Sequence, residues 1–245
     1  MRRVLTSPLL QGLIVQYRLL RRPRRVRVHG VTIAVDPAWP PTILDKLYDG
    51  SYECSEAQVL LATLRPSDQY LELGAGIGVL TTIACRILGD VDVTAVEADP
   101  ALAGVAAKTA ARNGHRPAIV NAVLTNDGAS ERRFYVCHDF WSSSLLPSSD
   151  ANEIVVPARP FLAELERTRA TYLVVDIEGG EAELLAPELP ASVRAVCVEV
   201  HPDRIGDHAV QRLITHLIDQ GFVLDTRLLC WQVLFFARDA YTRLP

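Results

Sequence analysis

A glycine-rich turn between an apolar strand and a helix constrains this chain most. The strand Leu71-Glu72-Leu73 runs directly into Gly74-Ala75-Gly76-Ile77-Gly78, and a helix is predicted over residues 77–88. Glycines let the backbone pass close to a ligand, and the amino end of a helix favours a negative group. The sequence therefore predicts a strand–turn–helix unit that binds a ligand, with Glu72, Gly74, Ala75, Gly76 and Gly78 as the candidate binding residues.

Strands and helices alternate along most of the chain, which predicts an α/β fold with a parallel, doubly wound sheet. A short hairpin over 26–35 precedes this sheet, and a polar surface excursion near 142–150 interrupts it, flanked by strand candidates over 133–136 and 153–156. The predicted strands are 70–73, 91–96, 118–123, 171–176, 193–200 and a closing hairpin of 222–226 and 230–237. The predicted helices are 55–64, 77–88, 99–112, 180–189 and 207–220.

Composition narrows the class of protein. The 245 residues are 49% hydrophobic, yet apolar runs stay well short of the roughly 20 residues of a membrane span. The five cysteines are scattered and form no CxxC pair, which argues against a disulfide framework or a zinc knuckle. We expect a globular protein in a reducing, cytoplasmic setting.

The amino-terminal region is strongly basic. Residues 1–35 contain eight arginines and no acid, so they carry +8 and the rest of the chain carries −12. Apolar residues at helical spacing over 7–20 predict a helix, which either packs on the domain or contacts a membrane surface or partner protein. A secretory signal is rejected because no cleavage site follows, and no nucleic acid partner is expected. We predict an extension over 1–48 and a main domain over 49–245.

An acid after the second strand points to a nucleoside-bearing cofactor. Glu97 stands about 20 residues beyond the glycines, where an acid accepts hydrogen bonds from ribose hydroxyls. The glycines follow GxGxG, one residue short of the NAD pattern, and this spacing suits S-adenosylmethionine, which has no pyrophosphate. Ala98 adjoins this acid, Asp99 is expected to cap the next helix, and Asn121 is a candidate adenine contact. A tight turn and a solvated strand end are the alternative readings.

Several segments together resemble the FkbM family of S-adenosylmethionine-dependent methyltransferases. They are Gly50-Ser51-Tyr52-Glu53, the glycine turn, Val96-Glu97-Ala98-Asp99-Pro100, Val174-Val175-Asp176-Ile177-Glu178-Gly179-Gly180-Glu181 and Glu199-Val200-His201-Pro202. The resemblance implies a Rossmann-like class I methyltransferase whose seven-stranded sheet has an antiparallel last strand. It also implies methyl transfer to a hydroxyl of a sugar, polyketide or other secondary metabolite. Val175 and Gly180 depart from the family pattern without removing a carboxylate.

Three residues are the candidates for chemistry, because the carboxyl ends of parallel strands converge beside the ligand. Asp176 is the first candidate to take the acceptor proton, His201 is the second, and Glu199 lies beside them. An N-terminal helix cap is the alternative for Asp176, and a turn histidine for His201. The same three residues are a plausible, less favoured set of ligands for a divalent ion.

Two further segments are expected to border the cofactor and its acceptor. Tyr52, or Glu53 beside it, is predicted to contact the methionine ammonium; a packing role for Tyr52 and a helix start at Glu53 are the equal alternatives. Trp141, Ser143 and Ser144 are expected to border the pocket. The acceptor is expected to be a small molecule or glycan. An NAD-dependent oxidoreductase and a non-catalytic scaffold of the same fold are the alternative functions.

Overall fold

The computed structural model describes residues 8–137, 143–145 and 151–238. Its helices are α1 (Pro8–Arg21), α2 (Pro41–Asp49), α3 (Cys54–Thr63), α4 (Val79–Leu88), α5 (Pro100–Arg112), α6 (Phe161–Thr168), α7 (Glu181–Leu184), α8 (Pro202–Ile205) and α9 (Asp207–Asp219). Its strands are β1 (Arg25–Val28), β2 (Val31–Ala34), β3 (Tyr70–Leu73), β4 (Val93–Glu97), β5 (Ala118–Asn121), β6 (Val123–Thr125), β7 (Glu131–Val136), β8 (Asn152–Pro160), β9 (Tyr172–Val175), β10 (Ala195–Glu199), β11 (Val223–Leu224) and β12 (Val233–Ala237).

The central sheet of the described residues has seven strands in the order β11-β12-β10-β9-β3-β4-β5. The strands β10, β9, β3, β4 and β5 are parallel, whereas β12 is antiparallel to both β10 and β11. The chain moves outward from β3 to β5 and then returns to β9 on the other side, which is the doubly wound arrangement. The predicted seven-stranded sheet with an antiparallel last strand is confirmed.

Helices cover both faces of this sheet because its central strands are apolar on both sides. All four residues of β3 and all four of β9 are buried, as strands of a helix-covered parallel sheet are. Tyr70, Tyr172 and Phe235 stack on the face covered by α2, α3 and α4. On the opposite face, Phe161 of α6 and Leu217 of α9 are fully buried in a second core.

The predicted amino-terminal hairpin is present as the antiparallel pair β1 and β2. Its inward residues Val26, Val28, Val31 and Ile33 join the core formed by α2, α3 and α4. Helix α1 packs against α2, and α2 spans the predicted division between residues 48 and 49. That division stays a prediction. Within the described part of the chain, every helix is too short or too polar to cross a bilayer.

The helices differ from the predicted pattern at two places. Helix α7 ends at Leu184, whereas the pattern predicted a helix over 180–189. Pro187 explains the early end, because a proline disfavours the helical conformation of the residue before it. Helices α2, α6 and α8 were not predicted, although Pro41 at the first helical position of α2 is a common start signal.

The predicted strand over 118–123 is divided between two sheets. Strand β5 ends at Asn121 in the central sheet, and β6 begins at Val123 in a smaller sheet with the order β6-β8-β7. β8 is parallel to β6 and antiparallel to β7. The polar excursion predicted near 142–150 lies mostly outside the described residues, and β7 and β8 stand on either side of it. The small sheet brings apolar side chains to the carboxyl edge of the central sheet.

Candidate active site

A cavity lies at the carboxyl ends of β3, β4 and β9, which is where doubly wound sheets bind ligands. Its wall combines residues that follow these strands, residues that precede α3, and residues of the small sheet. The residues that line the cavity include Tyr52, Glu53, Gly74, Gly76, Glu97, Ala98, Val123, Leu124, Phe134, Ser143, Leu145, Asp176, Glu178 and Leu184. The cavity therefore joins the glycine turn to the acidic segment after β9.

The glycine turn is required by close backbone contacts. Gly74 has a φ of +88°, and a Cβ atom on it would overlap the carbonyl oxygen of Asp176. Gly78 has a φ of +81°, and a Cβ atom there would lie 2.8 Å from Cα of Ala106 in α5. Gly74 thus lets the ends of β3 and β9 touch, and Gly78 lets α4 pack against α5.

Glu97 is a buried carboxylate fixed by the backbone. Its Oε2 atom accepts a hydrogen bond from the N–H of Gly76 at 2.8 Å, and its Oε1 atom accepts one from the N–H of Asp99 at 2.9 Å. Burial raises the pKa of Glu97 to about 7, although these hydrogen bonds favour the charged form. Asp99 caps α5 as predicted, because its Oδ1 accepts the N–H of Ala101 at 2.7 Å.

Two of the predicted cofactor residues face other parts of the protein. Asn121 donates both hydrogens of its side-chain amide to the backbone, to the carbonyls of Glu97 at 2.9 Å and Ala98 at 2.8 Å. Glu72 is buried and accepts a hydrogen bond from the Thr81 hydroxyl at 2.5 Å. Asn121 therefore holds the segment that carries Glu97, and its contact with an adenine stays a prediction.

Tyr52 and Glu53 close the cavity from the amino-terminal side. A Cβ atom on Gly76 would lie 3.2 Å from the Tyr52 hydroxyl and 3.6 Å from Oε1 of Glu53, so both side chains pass close to the glycine turn. Burial raises the pKa of Glu53 well above its usual value. His29 in the hairpin turn is within 2.7 Å of the Tyr52 carbonyl oxygen through Nε2. The amino-terminal hairpin therefore helps to fix this wall.

On the opposite side, His201 is surrounded by carboxylates. Its Nε2 atom lies 3.7 Å from Oδ1 of Asp176 and 3.5 Å from Oε1 of Glu178. Its backbone N–H donates to Oε1 of Glu181 at 2.7 Å, and its Nδ1 lies 3.3 Å from the same oxygen. Glu181 is fully buried and also accepts the N–H of Gly179 at 2.8 Å. Arg204 pairs with Glu178 at 3.1 Å.

These contacts set the protonation of the cluster. Burial opposes the charge of His201, but the hydrogen bonds to Glu178 and Glu181 outweigh it and raise the pKa of the imidazole to about 11. Burial raises the pKa of Asp176 to about 7 against the opposing charge of His201. Burial and the carboxylates of Asp176 and Glu56 raise the pKa of Glu199 to about 9. At neutral pH, His201 is charged, Glu199 is neutral and Asp176 is close to its midpoint.

The three candidates for a divalent ion are brought together. Asp176, Glu199 and His201 each offer one ligand atom, and these atoms lie within 4.8 Å of one another. An imidazole with a proton on both nitrogens has no lone pair to give to a metal. A divalent ion would therefore have to displace a proton from His201, and its binding stays the less favoured prediction.

The predicted residues divide into those that line the cavity and those that stand behind it. Tyr52, Gly74, Gly76, Glu97, Ala98 and Asp176 line it, as does Ser143. The lining does not include Glu72, Ala75, Gly78, Asn121, Glu199 or His201. Ser144 is buried and pairs with Tyr135 through the backbone. The prediction for Trp141 falls outside the described residues.

The sequence does not indicate the apolar part of the cavity wall or the residue that supports His201. Phe134, Leu124 and Leu145 line the cavity, because the small sheet is placed by pairing between distant strands. Glu181 supports His201 from 20 residues earlier in the chain. The sequence shows Glu181 two residues after Gly179 in the acidic segment, but it does not show that Glu181 contacts His201. Only the convergence of β9 and β10 defines that pair.

A family model described as methyltransferase FkbM domain matches residues 72–224, which is more than half of the chain. The matched region contains the glycine turn, Glu97, Asp176 and His201. It begins after Tyr52 and Glu53, so these two residues stand outside the match. A comparison with curated protein sequences gives no match.

Three solved structures to which this chain is similar are methyltransferases. A methyltransferase from Pyrococcus furiosus is 14% identical with a TM-score of 0.46, covering 94% of this chain and 98% of that one. The ribosomal protein L11 methylase from Lactobacillus delbrueckii subsp. bulgaricus is 14% identical with a TM-score of 0.45, covering 77% and 78%. Magnesium protoporphyrin IX methyltransferase from Synechocystis PCC 6803, with bound SAM, is 13% identical with a TM-score of 0.44, covering 98% and 100%. Similarity at this level does not identify a substrate.

Proposed function

Because this chain belongs to the FkbM methyltransferase domain family, we propose that it is an O-methyltransferase acting on a hydroxyl of a small molecule or glycan. S-adenosylmethionine is the methyl donor that the family assignment supports. One observation carries the proposal for the acceptor. Asp176 lines the cavity with a buried Oδ1 atom that accepts no hydrogen bond from the described residues.

The residues at the β3–β4 end fit the methyl donor. Glu97 lines the cavity with its carboxylate held by two backbone N–H groups, which suits the two hydroxyls of a ribose. Glu53 and Asp176 place carboxyl groups near the glycine turn. Burial raises the pKa of both in the free protein, and a donor that carries a sulfonium and an ammonium group would favour their charged forms. When bound, the donor supplies a methyl group already activated by the sulfonium.

Asp176 is the proposed general base. A hydroxyl is a poor nucleophile until its proton is removed, and a base with a pKa near the working pH removes it most effectively. The pKa of Asp176, at about 7, meets this condition. The proton of the acceptor hydroxyl passes to Oδ1 of Asp176 as the acceptor oxygen bonds to the methyl carbon. The bond between that carbon and the donor sulfur breaks at the same time, and its electron pair stays on the sulfur of S-adenosylhomocysteine. The neutral Asp176 then returns the proton to water.

His201 and Glu199 support this step without taking the proton. His201 already carries its proton at neutral pH, so it acts as a positive partner 3.7 Å from Asp176. That charge keeps a fraction of Asp176 ionised despite its burial. Glu199 is neutral under the same conditions, so it adds no negative charge that would repel the carboxylate of Asp176. We therefore propose positioning roles for both residues.

The remaining wall supports an uncharged acceptor. Val123, Leu124, Phe134 and Leu145 form an apolar surface that meets the acidic end of the cavity. No lysine or arginine occurs among the described lining residues, so an anionic acceptor lacks a partner there. A hydroxyl-bearing molecule with one apolar side, such as a sugar derivative or a polyketide, suits this wall.

The test is calorimetric titration of the full chain with S-adenosylhomocysteine and, separately, with NAD. We expect saturable binding of S-adenosylhomocysteine that Glu97→Ala weakens by about ten-fold or more, since hydrogen bonds to a charged group are lost. Binding of NAD alone would support an oxidoreductase instead. Absence of binding to either would favour a non-catalytic scaffold.

The acceptor is then sought with S-adenosylmethionine carrying a labelled methyl group. A panel of sugars and polyketide alcohols is compared with matched amines and carboxylic acids of the same skeleton. We expect label only in compounds that carry a hydroxyl, and loss of labelling in Asp176→Asn. Transfer to the amines with none to the alcohols would contradict the proposed O-methylation.

A further inference from the structure

Helix α1 exposes an apolar stripe that nothing in the described protein covers. Leu13, Tyr17 and Leu20 follow the i, i+4, i+7 spacing that places side chains on one helix face. Their exposed fractions are 68%, 60% and 83%, although α1 packs against α2 on its other side. Elsewhere, exposed apolar residues such as Val91 and Trp231 stand at separate places in the chain. The stripe is therefore an unusual feature of this surface.

A run of arginines follows the stripe directly. Arg21 ends α1, Arg22 and Arg24 follow in the connecting segment, and Arg25 begins β1; all four are exposed. Among the described residues, no carboxylate forms an ion pair with any of these four guanidinium groups. Together with Leu13, Tyr17 and Leu20, these four arginines are called the α1 basic surface.

The apolar stripe and the arginines together indicate the kind of partner that would bind the α1 basic surface. A nucleic acid would neutralise the arginines but would leave the apolar stripe in water. A neutral apolar groove would cover the stripe but would not balance the arginines. An anionic lipid surface satisfies both, since acyl chains accept the stripe and headgroups accept the guanidinium groups. We propose that the α1 basic surface binds the surface of an anionic membrane, with α1 lying in the interface.

The charge distribution of the whole chain supports this orientation. Residues 1–35 carry +8 while residues 36–245 carry −12. An anionic surface attracts the first region and repels the second, so the protein approaches with its amino-terminal end forward. This inference is independent of the proposed reaction, because it uses no residue of the cavity.

The test is sedimentation of the full chain with lipid vesicles. Vesicles of phosphatidylcholine are compared with vesicles in which about a third of the lipid is phosphatidylglycerol. We expect binding to the anionic vesicles that is at least about ten-fold stronger and that weakens as salt is raised. Equal binding to both vesicle types, or binding to neither, would overturn the proposal.

A charge variant tests the arginines. Arg21→Gln, Arg22→Gln and Arg24→Gln together should weaken binding by about 100-fold, at about five-fold for each arginine. The matched control changes Arg112, Arg133 and Arg212 to Gln, which also removes three charges at exposed positions on other parts of the chain, and it should bind as the wild type does. Equal loss in test and control variants would show that only net charge matters, which contradicts a defined surface.

An apolar variant tests the stripe. Leu13→Ser, Tyr17→Ser and Leu20→Ser together should weaken vesicle binding by about ten-fold or more while the melting temperature stays the same. The matched control is Leu61→Ser with Val91→Ser, since both residues are also exposed. Unchanged vesicle binding in the stripe variant, or loss of a dimer in its place, would show that α1 serves another partner.

Discussion

The two ends of the cavity hold their acidic groups by different means. At the β3–β4 end, each oxygen of Glu97 receives one backbone N–H, at 2.8 and 2.9 Å. At the β9–β10 end, Asp176 faces the Nε2 atom of His201 at 3.7 Å, and its Oδ1 atom accepts no hydrogen bond from the described residues. The first carboxylate is fixed by groups that cannot titrate, and the second by a group that can.

This difference explains how one cavity can serve two purposes. Backbone N–H groups keep their positions and their hydrogens at any pH, so Glu97 is preorganised for a ligand that is only bound. Both carboxyl groups have a pKa of about 7, but only Asp176 has an oxygen that accepts no hydrogen bond from the described residues, so Asp176 is suited to exchange a proton. In the proposed reaction, the first end holds the donor and the second end activates the acceptor.

The largest effect is expected where the two ends touch. Gly74→Ala should lower the free energy of unfolding by about 3 kcal/mol or more, because the added Cβ would overlap the Asp176 carbonyl oxygen at a positive φ. Urea unfolding followed by circular dichroism measures the loss. Gly104→Ala in α5 is the control, since its Cβ would meet nothing within 4 Å. Equal midpoints for the two variants would mean that the two ends are not in contact.

The second prediction separates binding from turnover. Asp176→Asn should lower kcat by about 100-fold or more while the Kd for S-adenosylhomocysteine changes by less than about three-fold. Glu97→Gln should do the reverse and raise that Kd by about ten-fold. Calorimetry and an assay on the acceptor identified by labelling give the two values. Similar losses of binding in both variants would remove the proposed division of roles.

The third prediction uses the pH dependence of stability. The pKa of Glu97 is raised from 4.5 to about 7 on folding, so its contribution is fully present below about pH 4.5 and is lost as pH rises through 7. Glu97→Gln should therefore reduce the fall in unfolding free energy between pH 5 and 7.5 by about 2 kcal/mol. Urea unfolding at the two pH values measures it. An unchanged fall would show that Glu97 keeps its ordinary pKa.

The smallest effect concerns the support of Glu97. Asn121→Ala removes two hydrogen bonds to the carbonyls of Glu97 and Ala98 and should cost about 1 kcal/mol of stability. It should also raise the Kd for S-adenosylhomocysteine by about two- to three-fold, because the segment carrying Glu97 is loosened.

Asn126→Ala is the control for this prediction. The Asn126 amide donates to the carbonyls of Glu183 and Leu184, at the other end of the cavity. A similar loss of stability with unchanged binding of S-adenosylhomocysteine is expected. If both variants weaken that binding equally, support of Glu97 by Asn121 is not specific.

Much of the β3–β4 end was predictable because its parts are close in sequence. The strand, the glycine turn, Glu97 and the Asp99 cap lie within 30 residues and follow local rules of turns and caps. The other end was only partly predictable. Asp176 and His201 were identified as candidates, but the support from Glu181 and the pairing of Arg204 with Glu178 depend on how distant segments meet.

Dependence on distant segments also explains why the 118–123 strand was predicted incorrectly. The 118–123 segment is apolar except for Asn121, so its pattern does not show that β5 ends there and that β6 leaves the central sheet. The division depends on pairing of β6 with β8, more than 30 residues later. The apolar wall of the cavity, including Phe134, was missed for the same reason.

The sequence by itself determined the α/β alternation, the ligand-binding turn and the identity of the acidic residues, because each follows from the type and spacing of residues that are close together in the chain. The tertiary structure decided which of those acids titrate near neutrality. Glu97, Asp176 and Glu199 are all carboxylates at strand ends, yet their pKa values of about 7, 7 and 9 arise from burial and neighbours. Burial and charge proximity are properties of packed segments, and packing joins residues that the sequence keeps apart.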